Sequence, residues 1–254
     1  MKNQYFGDVG DFGKYGLLTA LSSGPLKLGV NWYLTMDDTK PDGKYTEYLY
    51  KNEFMVCDKE LHSFLNNCIK ENRRNVDEIK KLGRFDNVLF YDEIFNVEGI
   101  SALSEAGRRA RKKKREDWFN LSLNKLSGCD IIFCDPDNGI ETKSLSKTGK
   151  DSVKYIYINE INHMLKNGSS LVIYNHRDRS TDFEYKERFR KIYQNVPDGI
   201  KMRIIRFNRF SVRDYIVLMQ HEHIETIENQ LDEFLGCELW RKHFREIEIL
   251  NRAN

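Results

Sequence analysis

Proline is scarce, with four in 254 residues, and the charged residues almost cancel to a net charge of +2. Scarce proline, with 40% hydrophobic and 12% aromatic residues, argues against a largely disordered chain, because enough apolar material is present to offset the entropy lost on folding. Long hydrophobic runs are missing: stretches such as 131–134 and 171–174 fall far short of the roughly 20 residues of a membrane-spanning helix, so no membrane partner is expected. The opening Met1-Lys2-Asn3-Gln4-Tyr5-Phe6-Gly7-Asp8 lacks the apolar core of a secretory signal, which leads to the expectation of a cytoplasmic location. Cys57, Cys68, Cys129, Cys134 and Cys237 are odd in number and contain no C-x-x-C pair. Neither a disulfide framework nor a zinc cage is indicated, and reduced thiols are expected.

What is present is an alternation of short β-branched and aromatic runs with longer segments of helical period. That is the pattern of parallel strands joined by crossover helices. Strands are predicted over 29–35, 87–91, 130–134, 169–174, 202–207 and 214–219. The last two are separated by too few residues for a crossover and should form an antiparallel hairpin at one edge of the sheet. Helices are predicted over 12–21, with Phe12, Leu17, Leu18 and Leu21 on one face, and over 59–72. From His221 onward the helical period runs to Gly236 and resumes over 239–250. The expected fold is a Rossmann-like α/β three-layer sandwich over residues 1–254. It has a mainly parallel sheet, a C-terminal hairpin, a helical insertion around 46–83 and a closing helical segment at 221–254.

In open α/β sheets, ligands bind outside the carboxyl ends of the strands. The polar residues at those ends are Asp37 and Asp38, then Asp92 and Glu93, then Asp135, Asp137 and Asn138, then Asn175, His176 and Arg177. A single acid after a strand is ordinarily a turn former or a cap; recurrence at four strand ends argues for a site. Asp135 directly ends an apolar strand and should face the crevice. His176 has an ordinary pKa near working pH and reads either as a general base or as a plain hydrogen-bonding residue. Asp11 and Lys14, set among Gly10, Gly13 and Gly16, read either as a polar segment closing over the site or as a helix start capped by Asp11. His221 and His223 read as a solvated helix start.

The run from Arg108 to Arg115 (Arg108, Arg109, Arg111, Lys112, Lys113, Lys114 and Arg115) holds seven positive charges in eight residues and predicts a phosphate backbone as partner. Trp118 and Phe119 would stack on bases or anchor the helix to the core. Arg177, Arg179, Arg203, Arg206, Arg209 and Arg213 would extend the patch. The expected partner is therefore a nucleic acid, and the sequence names no protein partner.

The segment Asp130-Ile131-Ile132-Phe133-Cys134-Asp135-Pro136-Asp137-Asn138 resembles the Asp-Pro-Pro-Tyr strand end with which class I S-adenosylmethionine-dependent amino-methyltransferases grip the exocyclic amine of a base. The nearest resemblance is to the J-type ribosomal RNA adenine-N6 methyltransferase family. There a short amino-terminal motif and helix precede the first strand, as residues 5–21 do here, and the first strand and its loop are similar to residues 32–45. The closing hairpin is similar to residues 202–219. The resemblance covers about two thirds of the chain in order of elements. It implies S-adenosylmethionine as cofactor, bordered by Tyr5, Asp11, Lys14, Asp37, Asp38, Gly43 and Asp92. It also implies that Asp135, Asp137, Asn138 and His176 carry the chemistry.

Two differences from that family support rival readings. Residues 37–43 keep one glycine and hold three aspartates, and Asp137 and Asn138 stand where the family has a proline and an aromatic residue. Asp37, Asp38, Asp135 and Asp137 could instead hold magnesium against a phosphodiester, as in a nuclease or phosphohydrolase. The string Pro136-Asp137 with Glu141-Thr142-Lys143 is superficially similar to a nuclease site but is too closely spaced to span two strands. A third reading is a catalytically inactive binding subunit.

Overall fold

The computed structural model describes residues 1–39 and 43–248. Within them the chain forms β1 (Leu28–Asn31), β2 (Leu89–Tyr91), β3 (Ile131–Cys134), β4 (Gly139–Ile140), β5 (Tyr155–Ile156), β6 (Ser170–His176), β7 (Lys201–Arg209), β8 (Ser211–Met219) and β9 (Phe244–Glu246). The helices are α1 (Val9–Ser22), α2 (Asn52–Met55), α3 (Lys59–Lys70), α4 (Glu105–Lys125), α5 (Ile158–Lys166), α6 (Asp182–Gln194) and α7 (Ile224–Gly236). Seven strands make one sheet in the order β2-β1-β3-β6-β8-β7-β9, and β4 pairs with β5 in a small second sheet. β2, β1, β3 and β6 are parallel, whereas β8 runs antiparallel to β6 and β7, and β9 antiparallel to β7.

The three layers follow from the pleat, in which successive side chains point to opposite faces. Ile131, Phe133, Val172, Tyr215 and Val217 face a core shared with α1, α3 and α7. Ile132, Cys134, Leu171, Ile173, Ile216 and Leu218 face a second core shared with α4, α5 and α6. Strands covered on both faces read as unbroken apolar runs, the expected signature of a buried parallel sheet.

The strand ends shift in ways that matter for the site. β1 stops at Asn31, because the Asn31 side chain accepts the Tyr33 backbone N–H at 3.1 Å and Tyr33 turns into the left-handed region at φ 45°. β6 runs on to His176, so Asn175 and His176 belong to the strand itself. The hairpin is not the edge of the sheet. β8 lies inside it, and the edge beyond β7 is covered by β9. That strand falls in the segment predicted to be helical over 239–250, of which 249 and 250 lie outside the described residues. Phe244 supplies the reason, since it packs edge-on to Phe234 at 4.9 Å and against Phe207 at 4.9 Å.

Helix α1 begins earlier than its apolar period suggests. Its cap is Asp8, whose side chain accepts the Asp11 N–H at 3.0 Å, and not Asp11. Gly10, Gly13 and Gly16 share one face of the helix. A Cβ on them would stand 2.4 Å from the Arg213 guanidinium, 2.7 Å from the Phe207 ring and 2.4 Å from Trp240. The bare face lets α1 lie directly on β7 and β8, which brings Asp11 and Lys14 to the ends of the central strands. The 46–83 segment is helical, built from α2, α3 and three 3-10 turns. No described helix is long and apolar enough to cross a membrane.

Candidate active site

A cleft of about 530 Å³ opens where β3 and β6 end and α1 begins, walled by Tyr5, Asp8, Asp11, Lys14, Tyr45, Asp135, Asp137, Asn138, Tyr174, His176 and Arg213, with Met1, Gly10, Gly43 and Lys44. A smaller lobe of about 240 Å³ shares Asn138 and His176 and adds Thr142, Tyr155, Asn175, Asp178 and Arg188. Antiparallel pairing sets Arg213 of β8 beside His176 of β6, so a residue 37 positions further along the chain reaches the same sheet end.

The floor of the cleft is a buried charge network. Lys14 Nζ stands 2.6 Å from Asp135 Oδ2 and 2.8 Å from Asp11 Oδ1, with all three side chains at most 4% exposed. Asp11 Oδ2 also accepts from the Gly7 N–H at 3.2 Å and the Tyr15 hydroxyl at 3.3 Å. Asp8 Oδ2 lies 3.5 Å from Arg213 Nη2, and Asp137 Oδ1 lies 2.6 Å from the Met1 amino group. Buried charges persist only when paired in this way.

Burial opposes the Lys14 ammonium, but the charges of Asp11 and Asp135 outweigh it and hold its pKa above the ordinary value. Desolvation and the neighbouring Arg213 push His176 below its ordinary value, which keeps the ring neutral and able to accept a proton. Burial lifts the Asp11 carboxyl from its ordinary 3.8 to about 6, with Lys14 opposing and Asp8 reinforcing the rise. Since this folded-state value lies above the unfolded one, the folded chain binds the proton more tightly. Its contribution to stability is complete below about pH 4 and is lost as pH rises through about 6. In denaturant titrations the stability of the native protein relative to Asp11→Asn should therefore fall across that window. A flat difference would place the titration on another group.

The cleft brings together Tyr5, Asp11, Lys14, Gly43, Asp135, Asp137, Asn138 and His176. Gly43 sits at φ 78° with room for no Cβ, since one would meet the Gln4 carbonyl oxygen at 2.4 Å. Three residues expected at the cofactor lie elsewhere. Asp37 Oδ1 accepts the Gln4 backbone N–H at 3.1 Å, and Asp38 binds Lys2 Nζ at 2.7 Å, so this exposed pair fastens the amino-terminal segment. Asp92 pairs with Lys80. Lys40, Pro41 and Asp42 of the 37–43 loop lie outside the described residues. The two halves of the proposed magnesium cage are thus spent on different partners, and among the described residues no group of three His, Cys, Asp or Glu side chains could hold a metal ion. Glu141 is spent too: its Oε1 accepts the Ile158 N–H at the start of α5.

The basic run needs correction at two positions. Arg115 is buried, with Nε 2.7 Å from Glu160 Oε1 and Nη2 2.7 Å from Oε2. Arg111 donates to the carbonyls of Ile100, Thr148 and Gly149. Trp118 and Phe119 are buried, Trp118 donating to the Glu93 carbonyl at 2.8 Å, so they anchor the helix. Most of the wider arginine set is engaged within the protein as well, Arg179 being exposed. Arg203 binds Glu246 and Asp232, Arg206 binds Asp214 bidentately, Arg177 binds the Ser180 carbonyl and Asp182, and Arg209 donates to His243. His223 is buried and shares a hydrogen bond with Ser170 at 3.0 Å.

Asp8, Tyr45 and Tyr174 join the wall without having been singled out, and Arg213 belongs to the cleft as the counterion of Asp8. Asp8 had a readable signal, since it stands three residues before Asp11 ahead of the helical period. Arg213 had none, because only the strand register reveals its neighbour. No family model and no curated protein matches the chain.

Proposed function

We propose that the chain is an S-adenosylmethionine-dependent methyltransferase that acts on an amino group carried by a nucleic acid. The observation that carries this reading is the sheet itself. A reversed strand, β8, is inserted between β6 and β7, beside parallel strands whose carboxyl ends open on a cleft with Asp135 in its floor. A mainly parallel sheet with an antiparallel hairpin after it agrees with the resemblance of residues 130–138 and 202–219.

The donor set of the cleft suits the cofactor in kind. Its wall carries the carboxylates Asp8, Asp11, Asp135 and Asp137 together with the cations Lys14, Lys44, Arg213 and the Met1 amino group, so it offers partners to a ligand that bears both signs of charge, as the methionine part of the cofactor does. Tyr5 offers an aromatic face for a purine. When bound, S-adenosylmethionine would supply a methyl group activated by its sulfonium. Asp135, held by Lys14, would accept an N–H of the incoming amine and orient it. His176, kept neutral by partial desolvation and by Arg213, would take up the proton that the amine releases.

The nucleic-acid part of the reading rests on the cations of α4 that remain exposed: Arg108, Arg109, Lys112, Lys113 and Lys114. Three of them face carboxylates four residues away, in the pairs Arg109–Glu105, Lys112–Glu116 and Lys113–Asp117. Exposed pairs of that kind contribute only about 0.3–0.5 kcal/mol each, so a phosphate can displace them.

Calorimetric titration tests the reading. S-adenosylmethionine should bind with a stoichiometry of one, and magnesium chloride alone should give no comparable heat. Asp135→Asn preserves shape and should lower methyl transfer to a single-stranded oligonucleotide by roughly 100-fold or more, the scale of losing one preorganised polar contact. Magnesium binding without methyl-donor binding, or full turnover by Asp135→Asn, would overturn the assignment.

A further inference from the structure

We propose that Tyr45 and Phe210 form a stacking platform for a nucleobase at the mouth of the cleft, with Lys44 and Lys51 receiving the attached phosphates. Phe210 is the single residue between β7 and β8, and its backbone is left-handed at φ 58°. Hairpin tips of that conformation favour glycine or asparagine, since a side chain there is strained. Burial does not compensate, because half of the Phe210 surface faces solvent. Strain of this kind at a half-exposed aromatic residue points to function.

The ring is also placed for use. Its centroid lies 5.8 Å from that of Tyr45, which is itself 48% exposed, at an interplanar angle of 32°. Lys51 Nζ stands 4.9 Å above the Phe210 ring. Tyr45 and Lys44 belong to the same wall as Asp135, so the platform adjoins the group proposed to grip the amine. Aromatic faces stack on any base, and neighbouring cations neutralise phosphate. Asn138 occupies the strand-end position where the resemblance implies an aromatic residue, and the platform supplies aromatic surface from the hairpin instead. The inference rests on the methyl-transfer reading only in taking this cleft as the acceptor site.

The ligand chemistry is a nucleobase bearing phosphate, from either a single strand or a free nucleotide. Fluorescence anisotropy with a labelled single-stranded RNA or DNA 12-mer, competed with AMP, separates the two sources. Phe210→Gly should weaken oligonucleotide binding about tenfold, the size of one lost base stack, while thermal stability holds or rises as strain is relieved. Phe210→Trp should restore binding. Competition by AMP at comparable concentration assigns a free nucleotide, and its failure assigns a single strand; both support the platform. Unchanged binding by Phe210→Gly, or no binding of either probe by the native chain, would overturn it. S-adenosylmethionine titrations on the same samples keep the two proposals apart. Donor binding without probe binding sinks only the platform, and probe binding without donor binding sinks only the methyltransferase.

Discussion

Lys14→Met should lower folding stability by about 3–5 kcal/mol, because it removes one partner of a buried ion network and leaves the others charged. The native ammonium lies between Asp11 and Asp135, 2.8 and 2.6 Å from their oxygens, and is almost fully enclosed. Without it, two carboxylates face each other in a site where burial, with Lys14 still opposing, already raises the Asp11 pKa to about 6. The magnitude discriminates, since an exposed pair would contribute about 0–1 kcal/mol. Equilibrium denaturation in urea at pH 7 measures the loss. The double variant Lys14→Met with Asp11→Asn should recover part of it, because one uncompensated charge is gone. A loss below ~1 kcal/mol would mean that Asp135 is held in place by something other than Lys14. On the proposed methyltransferase reading the variant should also lose methyl-donor binding, since Asp135 and Asp11 would no longer keep their positions.

The sheet was legible because its strands obey simple rules. Ile131 to Cys134 and Leu171 to Ile173 are apolar without break, and they form strands buried on both faces. The place of Asp135 and His176 in the wall of the cleft was legible, since polar residues end such runs. It was not legible at Asp37 and Asp38. Sequence places them after the first strand, but the early turn at Tyr33 and the contacts of Lys2 and Gln4 leave them outside the wall of the cleft. β9 was missed because Phe244 and its neighbours carry the apolar spacing of a helix, and only the uncovered edge of β7 decides otherwise. Charge is where linear reading fails most. Arg115 looks like its six basic neighbours in the sequence, yet it sits on the inward face of α4 opposite Glu160, a residue 45 positions away.

That difference between Arg115 and its neighbours has a measurable outcome. Arg115→Met should also lose about 3–5 kcal/mol, because the Glu160 carboxylate would remain buried at 3% exposure without its counterion. The guanidinium is held by both Glu160 oxygens and by the Tyr155 carbonyl at 2.9 Å, and it lies 4.5 Å from the Tyr157 ring centroid and 5.1 Å from that of Trp118. Glu160 in turn accepts the Tyr157 N–H at 3.1 Å, so the pair joins α4 to the start of α5. Pairing Arg115→Met with Glu160→Gln should recover much of the loss, since a neutral amide oxygen can still accept that N–H. Oligonucleotide binding gives the complementary reading. Removing a phosphate contact lowers the slope of log K against log salt by about one. Lys113→Ala should show that change, whereas Arg115→Met, assayed where it remains folded, should keep the native slope. A reduced slope in Arg115→Met would place this arginine among the proposed phosphate contacts and undo its assignment to the core.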